Sequence, residues 1–204
     1  MSLLKKLFGP SREEIWRQLS QEIGGQFLEG NTWKGGKVIA KTGEWTVTLD
    51  TFRIDTQYDH IVYTRLRAPY LNKDGFRFRI YRKGLFTAIE KLFGLQDVVV
   101  GYPLFDRDFV IQGNSEEKLK ALFSNAWIRD WIEEQPSILL EVRDDEGCFR
   151  DAFPEGVDEL VCLLEDPVMN LDQLKSLFDL FSETLNHLCH IGSAYENDPR
   201  LELM

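Results

Sequence analysis

The sequence predicts an α+β domain, mainly antiparallel sheet flanked by an N-terminal, a central and a long C-terminal helix. Three observations lead there. Runs with period-two alternation, closed by turn residues, follow one another as strands. Capped stretches with apolar residues at three- and four-residue spacing stand before, between and after those runs. The regular strand–helix alternation and the glycine-rich turn of nucleotide-binding folds are missing.

The first helix starts at Ser11, which forms a capping box with Glu14: hydroxyl and carboxylate each accept a backbone N–H orphaned at the helix start. Ile15, Leu19 and Ile23 recur every four residues beside Trp16, an apolar stripe that ends at Gly24 and Gly25. Upstream, "MSLLKKLFGP" sets Leu3, Leu4, Leu7 and Phe8 around two lysines. It lacks a signal-peptide cleavage site and reads as a turn docked on the domain or a partner, in preference to a membrane.

"KVIAKTGEWTVTLDTFRI" reads as two strands about Thr42 and Gly43. Trp45, Val47 and Leu49 face one way and Thr46, Thr48 and Asp50 the other. Phe52 and Ile54 carry the apolar signal on out of phase, which predicts a bulge near Thr51. "HIVYTRLRAPYLNKDGFRFRIYRKG" predicts a hairpin turning at Asn72 to Gly75, with Gly75 supplying a positive φ.

"LFTAIEKLFG" predicts a short helix, and "DVVVG" and "FVIQG" predict short buried strands. Asn114 or Ser115 caps a helix carrying Leu119, Leu122 and Phe123, which either runs on or breaks near Asn125 before "WIRDWI". "SILLEVRDDEG" is a strand with Ile138, Leu140 and Val142 inward, and "DELVCLLED" is its partner. Asn170 caps the last helix, whose Leu171, Leu174, Phe178, Phe181, Leu185 and Leu188 form one apolar seam. That seam is also a candidate homodimer interface. "NDPRLELM" reads as a loose tail.

At 204 residues, 43% apolar and 28% charged, the chain suits a single domain over 1–204, with 1–101 and 102–204 as possible tightly packed halves. It needs no disulfide or metal staple. The net charge of −10 argues against nucleic acid and anionic lipid as partners. No run approaches transmembrane length. Cys148, Cys162 and Cys189 show no CxxC spacing and read as free thiols in a reducing cytoplasm.

"FDRDFVIQGN" carries the pair Asp106 and Asp108, which a strand would place on one face. A hard metal wants several oxygen ligands, and no third stands at a fixed spacing. The reading is structural: Phe105 anchors a corner, Asp106 accepts backbone N–H bonds, and Phe109 and Ile111 begin a buried strand. His187 and His190 are i,i+3 neighbours, yet no third zinc ligand is specified, and basic groups in a last helical turn suit the helix dipole. Glu141 to Arg143 only faintly resembles the acidic strand of metal-dependent nucleases. No nucleophile sits in a recognisable elbow. No cofactor is expected.

The constellation with most chemical content is cationic. Arg65 and Arg67 share one face of a strand, and Arg77 and Arg79 share one face of the next. Paired as a hairpin, they set four guanidiniums on one side of a ribbon. Like charges side by side need a counter-charge. It comes either from within, from Asp50 and Asp55 or from Glu13, Glu14 and Glu22, or from outside as a phosphate, a carboxylate or an acidic segment of a partner.

"TRLRAPYLNKDGFRFRIYRKGLF", "FGLQDVVVGYPLFDRDFVIQGN" and "LFDLFSETLNHLCHIGSAYEND" resemble blocks of an uncharacterised family of bacterial proteins, over about Trp33 to Asp198. The resemblance implies a bacterial, cytoplasmic protein and carries no activity. The sequence as a whole reads as a non-catalytic binding module for a protein partner or a small anionic ligand, with Arg65, Arg67, Arg77 and Arg79 as the contact face. The alternative is a hydrophobic-ligand pocket or enzyme site between a curved sheet and the last helix.

Overall fold

A computed structural model describes residues 9–30, 35–55, 60–84, 96–145, 152–201 and 203. Helix α1 (Arg12–Glu22) leads into strands β1 (Gln26–Leu28), β2 (Lys37–Thr42), β3 (Trp45–Asp55), β4 (His60–Asn72) and β5 (Phe78–Arg82). Then come β6 (Gln96–Asp97), α2 (Pro103–Asp108), β7 (Phe109–Gly113), α3 (Glu116–Leu122) and α4 (Ala126–Glu133). Strands β8 (Leu139–Arg143) and β9 (Val157–Glu165), helix α5 (Leu171–His190) and β10 (Ala194–Tyr195) follow. The predicted short helix "LFTAIEKLFG" lies outside the described residues.

The strands form one sheet in the order β1-β2-β3-β4-β9-β8-β5-β7-β6, with β10 added to β4. Every pairing between these strands is antiparallel, as the fold class requires. The boundary drawn between 101 and 102 falls ahead of α2, and strands from its two sides interleave in this one sheet.

The hairpin expected across Asn72 to Gly75 does not form. Strands β9 and β8 stand between β4 and β5. The corner itself explains the departure. The Asn72 carboxamide oxygen accepts from the Asp74 and Gly75 N–H groups, and Gly75 takes a φ of +71°. The chain leaving it is captured by Asn114, whose side chain accepts from Arg77 N–H and donates to the Gly75 carbonyl at 3.0 and 2.7 Å. β5 is thereby led to β7 and away from β4.

The described helices lie against one face of the sheet. Their inward residues, among them Trp16 and Leu19 of α1, Phe105 of α2, Leu119 of α3, Ile132 of α4 and Phe181 of α5, share one core with Trp45, Leu66, Phe78, Leu140 and Cys162 of the strands. Helix α1 carries the expected capping box, and Ser115, Asn125 and Asn170 cap α3, α4 and α5. The seam of α5 faces this core: Leu174, Phe178, Phe181, Leu185 and Leu188 are all buried within the chain, so the seam is not free for a second copy.

The bulge expected near Thr51 is absent; β3 pairs with β4 without interruption from Thr48↔Arg67 to Asp55↔His60. Phe52 and Ile54 therefore stay on the face of Thr48 and Asp50, and they pack with Tyr63, Tyr81, Val110, Leu139, Val161 and Leu163. Among the described residues, this second cluster is made of strand residues.

The tail is also more ordered than expected. β10 pairs Ala194 with Asn72 and Tyr195 with Leu71, the Asp198 carboxylate accepts from the Thr46 hydroxyl at 2.7 Å, and Leu203 is buried.

Candidate functional site

Away from the helices, the sheet carries a ladder of charges running over five strands. The Arg65 guanidinium grips Asp50 in a fork, 2.7 Å from Nε and 2.8 Å from Nη2, and Arg67 reaches the same carboxylate at 3.1 Å. Arg67 also stands 3.8 Å from Glu159. Glu159 accepts from Arg143 at 3.1 and 2.9 Å. Arg143 then approaches Glu141 at 4.0 Å, and Glu141 holds Arg79 through Nε at 2.8 Å and through Nη2.

Register builds this ladder. Asp50↔Arg65, Arg143↔Glu159 and Arg79↔Glu141 are directly opposed residues on neighbouring strands. Opposite charges at such positions attract, where like charges would push the strands apart. Burial makes the pairing obligatory: Arg67 is 1% exposed and Glu159 is fully buried. Burial pushes the Glu159 carboxyl up from its ordinary value, against the opposing pull of Arg143, Arg67 and Arg65.

The four sequence-predicted arginines therefore divide. Arg65, Arg67 and Arg79 share the ladder face, held together by β9 and β8 between their strands. Arg77 parts from them. Its Nε and Nη2 lie 3.1 Å from the two oxygens of Asp158, and its Nη1 lies 2.7 Å from Asp144. The bond to Asp158 raises its already high pKa. Asp158 also accepts from Asn72, and beside it burial, then the Asp158 charge, pushes the Tyr70 phenol well up. Of the internal counter-charges named from sequence, Asp50 is used. Glu141, Asp158 and Glu159 come from β8 and β9, the strands whose insertion the sequence reading missed.

Asp106 and Asp108 lie on the short helix α2, and the buried strand β7 begins at Phe109 as expected. The Asp106 carboxylate accepts three backbone N–H groups of the preceding loop, from Val100, Gly101 and Tyr102, at 2.8 to 2.9 Å. Asp108 turns outward to Arg107, whose bond holds its carboxyl below the usual value. Phe105 packs on Phe109 and Phe123, as a corner anchor should. The pair is structural.

His187 and His190 stack with ring centroids 5.4 Å apart, and His187 Nε2 meets the Ala121 carbonyl at 3.0 Å. No group of three or more metal-ligating side chains is found among the described residues. A cleft of about 450 Å³ beside α5 is lined by Glu134, Gln135, Pro136, Asn170, Asp172, Gln173 and Ser176; another of about 290 Å³ is lined by Glu183, Asn186, His187 and His190. Neither lies between α5 and the sheet, where Leu174, Leu177, Phe181 and Leu185 fill the space against the strands.

The open apolar groups are elsewhere. The most exposed large apolar groups among the described residues are Val99 at 70%, Leu104 of α2 at 66% and Trp127 of α4 at 65%, ahead of Tyr195, Met169, Leu28 and Ile61. The Arg129 guanidinium, 3.6 Å over the Tyr102 ring, joins the loop before α2 to α4. Sequence reading treated "WIRDWI" only as a helix. Its signal was the i,i+4 pair Trp127 and Trp131, two large rings on one helix face.

No helix among the described residues is long and apolar enough to cross a membrane. No family model matches the chain, and no curated protein matches it. The fold does have a solved counterpart. The crystal structure of the mycobacterial trehalose monomycolate transport factor A superposes with a TM-score of 0.54, covering 86% of this chain and 95% of that one at 8% identity, so the chain shares its fold with that protein.

Proposed function

We propose that this chain is a binding module without catalytic chemistry of its own, and that its ligand is a protein partner. The observation that carries this reading is the distribution of open and committed groups. The arginines suited to an anion are engaged by carboxylates of the same chain, so an incoming anion has to displace Asp50, Glu141 or Asp158. Val99, Leu104 and Trp127 leave large apolar and aromatic groups open to solvent, the kind that anchors protein contacts. The fold shared with a transport factor supports a role beside a transport system. The free thiols of buried Cys162 and half-buried Cys189 support a reducing, cytoplasmic setting.

A photo-crosslinking residue at position 104 or 127, in the source cell, tests the reading against the same residue at Gln21 on the exposed side of α1. A discrete protein adduct at 104 or 127 and none at 21 is the expected result. A native mass spectrum with a stoichiometric lipid or phosphorylated small molecule, and no protein adduct, overturns it.

A further inference from the structure

Helix α4 has two unlike faces. Ile128 and Ile132 are buried in the core. Exposed Trp127, Asp130 and Glu134, with half-buried Trp131 that packs in part on the core, follow at the i, i+3, i+4 and i+7 spacing of a single stripe, about 10 Å long at 1.5 Å per residue. The two indoles lie side by side, with ring centroids 5.9 Å apart.

The stripe itself carries only acids, and the two arginines beside it are committed: Arg129 lies over the Tyr102 ring, and Arg82 donates to the Glu133 and Gln135 carbonyls at 2.8 and 2.9 Å. Asp130, Glu133 and Glu134 are all exposed, and none forms an ion pair with another described residue. Of the exposed acids on other helices, Glu116 holds Lys120 and Glu22 holds Lys175, while Glu13, Glu117 and Asp179 stand singly on theirs. The stripe runs into the cleft of about 450 Å³, where Asp172 adds a fourth carboxylate. The floor of that cleft is fixed, because Gln135 donates to the Trp131 carbonyl at 3.1 Å and accepts from Gln173 at 3.0 Å.

We propose that the outward face of α4 docks a cationic amphipathic segment of the protein partner, with lysines or arginines on Asp130, Glu133 and Glu134 and apolar side chains on the Trp127–Trp131 pair. The inference rests on the protein-partner reading and names the partner's chemistry. Charge complementarity selects this occupant: three carboxylates beside two indoles attract a cation both as counter-ions and through the ring faces. The same carboxylates repel phosphate and anionic headgroups. The chain's overall charge of −10 steers a basic segment toward it.

The test titrates the full chain with a synthetic peptide of lysines and leucines at helical spacing, read by tryptophan fluorescence and calorimetry. Asp130→Lys with Glu134→Lys reverses the face; Glu44→Lys with Glu117→Lys makes the same change of net charge elsewhere on the surface. The first pair is expected to weaken binding about tenfold or more, the second by less than about twofold. Trp127→Ser with Asp130→Asn, which touches no buried side chain, reads the same loss should the reversed variant fold poorly. Equal loss in both charge pairs, or unchanged affinity in the Trp127→Ser pair, overturns the proposal. So does binding of the chain to phosphatidylglycerol vesicles that Asp130→Lys with Glu134→Lys leaves unaltered. If the protein adduct at position 127 survives the reversal of α4, the binding-module reading stands and this inference falls; if no adduct forms at all, the module reading falls.

Discussion

The Arg65 guanidinium grips the Asp50 carboxylate through two hydrogen bonds, of 2.7 and 2.8 Å, across the β3–β4 pair, while Arg67 takes a third at 3.1 Å. One carboxylate therefore bridges two guanidiniums that stand two positions apart on one face of a strand, with Glu159 the second counter-charge of Arg67. Asp50→Ala strips Arg65 of its fork and leaves Arg67 only its other contacts, Glu159 among them, in a dry setting, and is expected to cost about 3–5 kcal/mol in urea unfolding. A loss below about 1 kcal/mol, the ordinary worth of an exposed ion pair, means that the ladder does not hold the sheet.

Asp106 makes a second prediction. Its carboxylate is the shared acceptor of three N–H groups, so Asp106→Ala orphans a whole loop turn and is expected to cost about 2–3 kcal/mol. Hydrogen exchange should speed at Val100, Gly101 and Tyr102 first. Asp108→Asn is expected to change neither quantity, since Asp108 points outward to Arg107. Equal effects of the two substitutions sink the assignment.

The Glu159 carboxyl sets a dependence on pH. Burial raises its folded-state pKa, against the lowering by Arg143 and Arg67, so the folded state binds its proton more tightly than the unfolded chain does. Its contribution to stability is complete below the ordinary glutamate range, about pH 4, and is lost as pH rises through the raised folded value. Urea midpoints measured across that window should fall with pH at this site. Glu159→Gln should flatten the slope while lowering stability overall; an unchanged slope contradicts the shift.

The thiols should react in a fixed order. Burial pushes both Cys162 and Cys189 up, with Glu196 adding to the effect at Cys189, but only Cys162 is fully enclosed. In a Cys148→Ser background, a thiol reagent at about pH 8 is expected to label Cys189 slowly and Cys162 only after unfolding. Labelling of Cys162 at the same rate as Cys189 in the native protein rules out its place in the core.

What the sequence revealed was local. The Ser11–Glu14 box, the Asn170 cap and the seam from Leu174 to Leu188 are short-range signals, and each stands where its residues demand. Strand pairing was not local. Asn72 to Gly75 has the composition of a hairpin turn, yet its side chains serve a wider corner tied to Asn114 and Asp158. Nothing near residue 72 announces that strands from beyond residue 138 will enter beside β4. A bulge at Thr51 follows only if one face of the sheet alone is apolar; Phe52 and Ile54 instead serve a second cluster on the opposite face. The arginines are legible and their partners are not, because Glu141, Asp158 and Glu159 are distant in sequence and adjacent only through the sheet.

The position of β9 has a consequence for biosynthesis. Strands β4 and β5 leave the ribosome long before the residues that separate them, and β9 ends only at Glu165. Until then the nascent chain carries unfinished edges and charges lacking their counter-ions, the state in which chains aggregate or recruit chaperones. A stop codon ahead of β9 should therefore yield insoluble fragments in place of a smaller working protein.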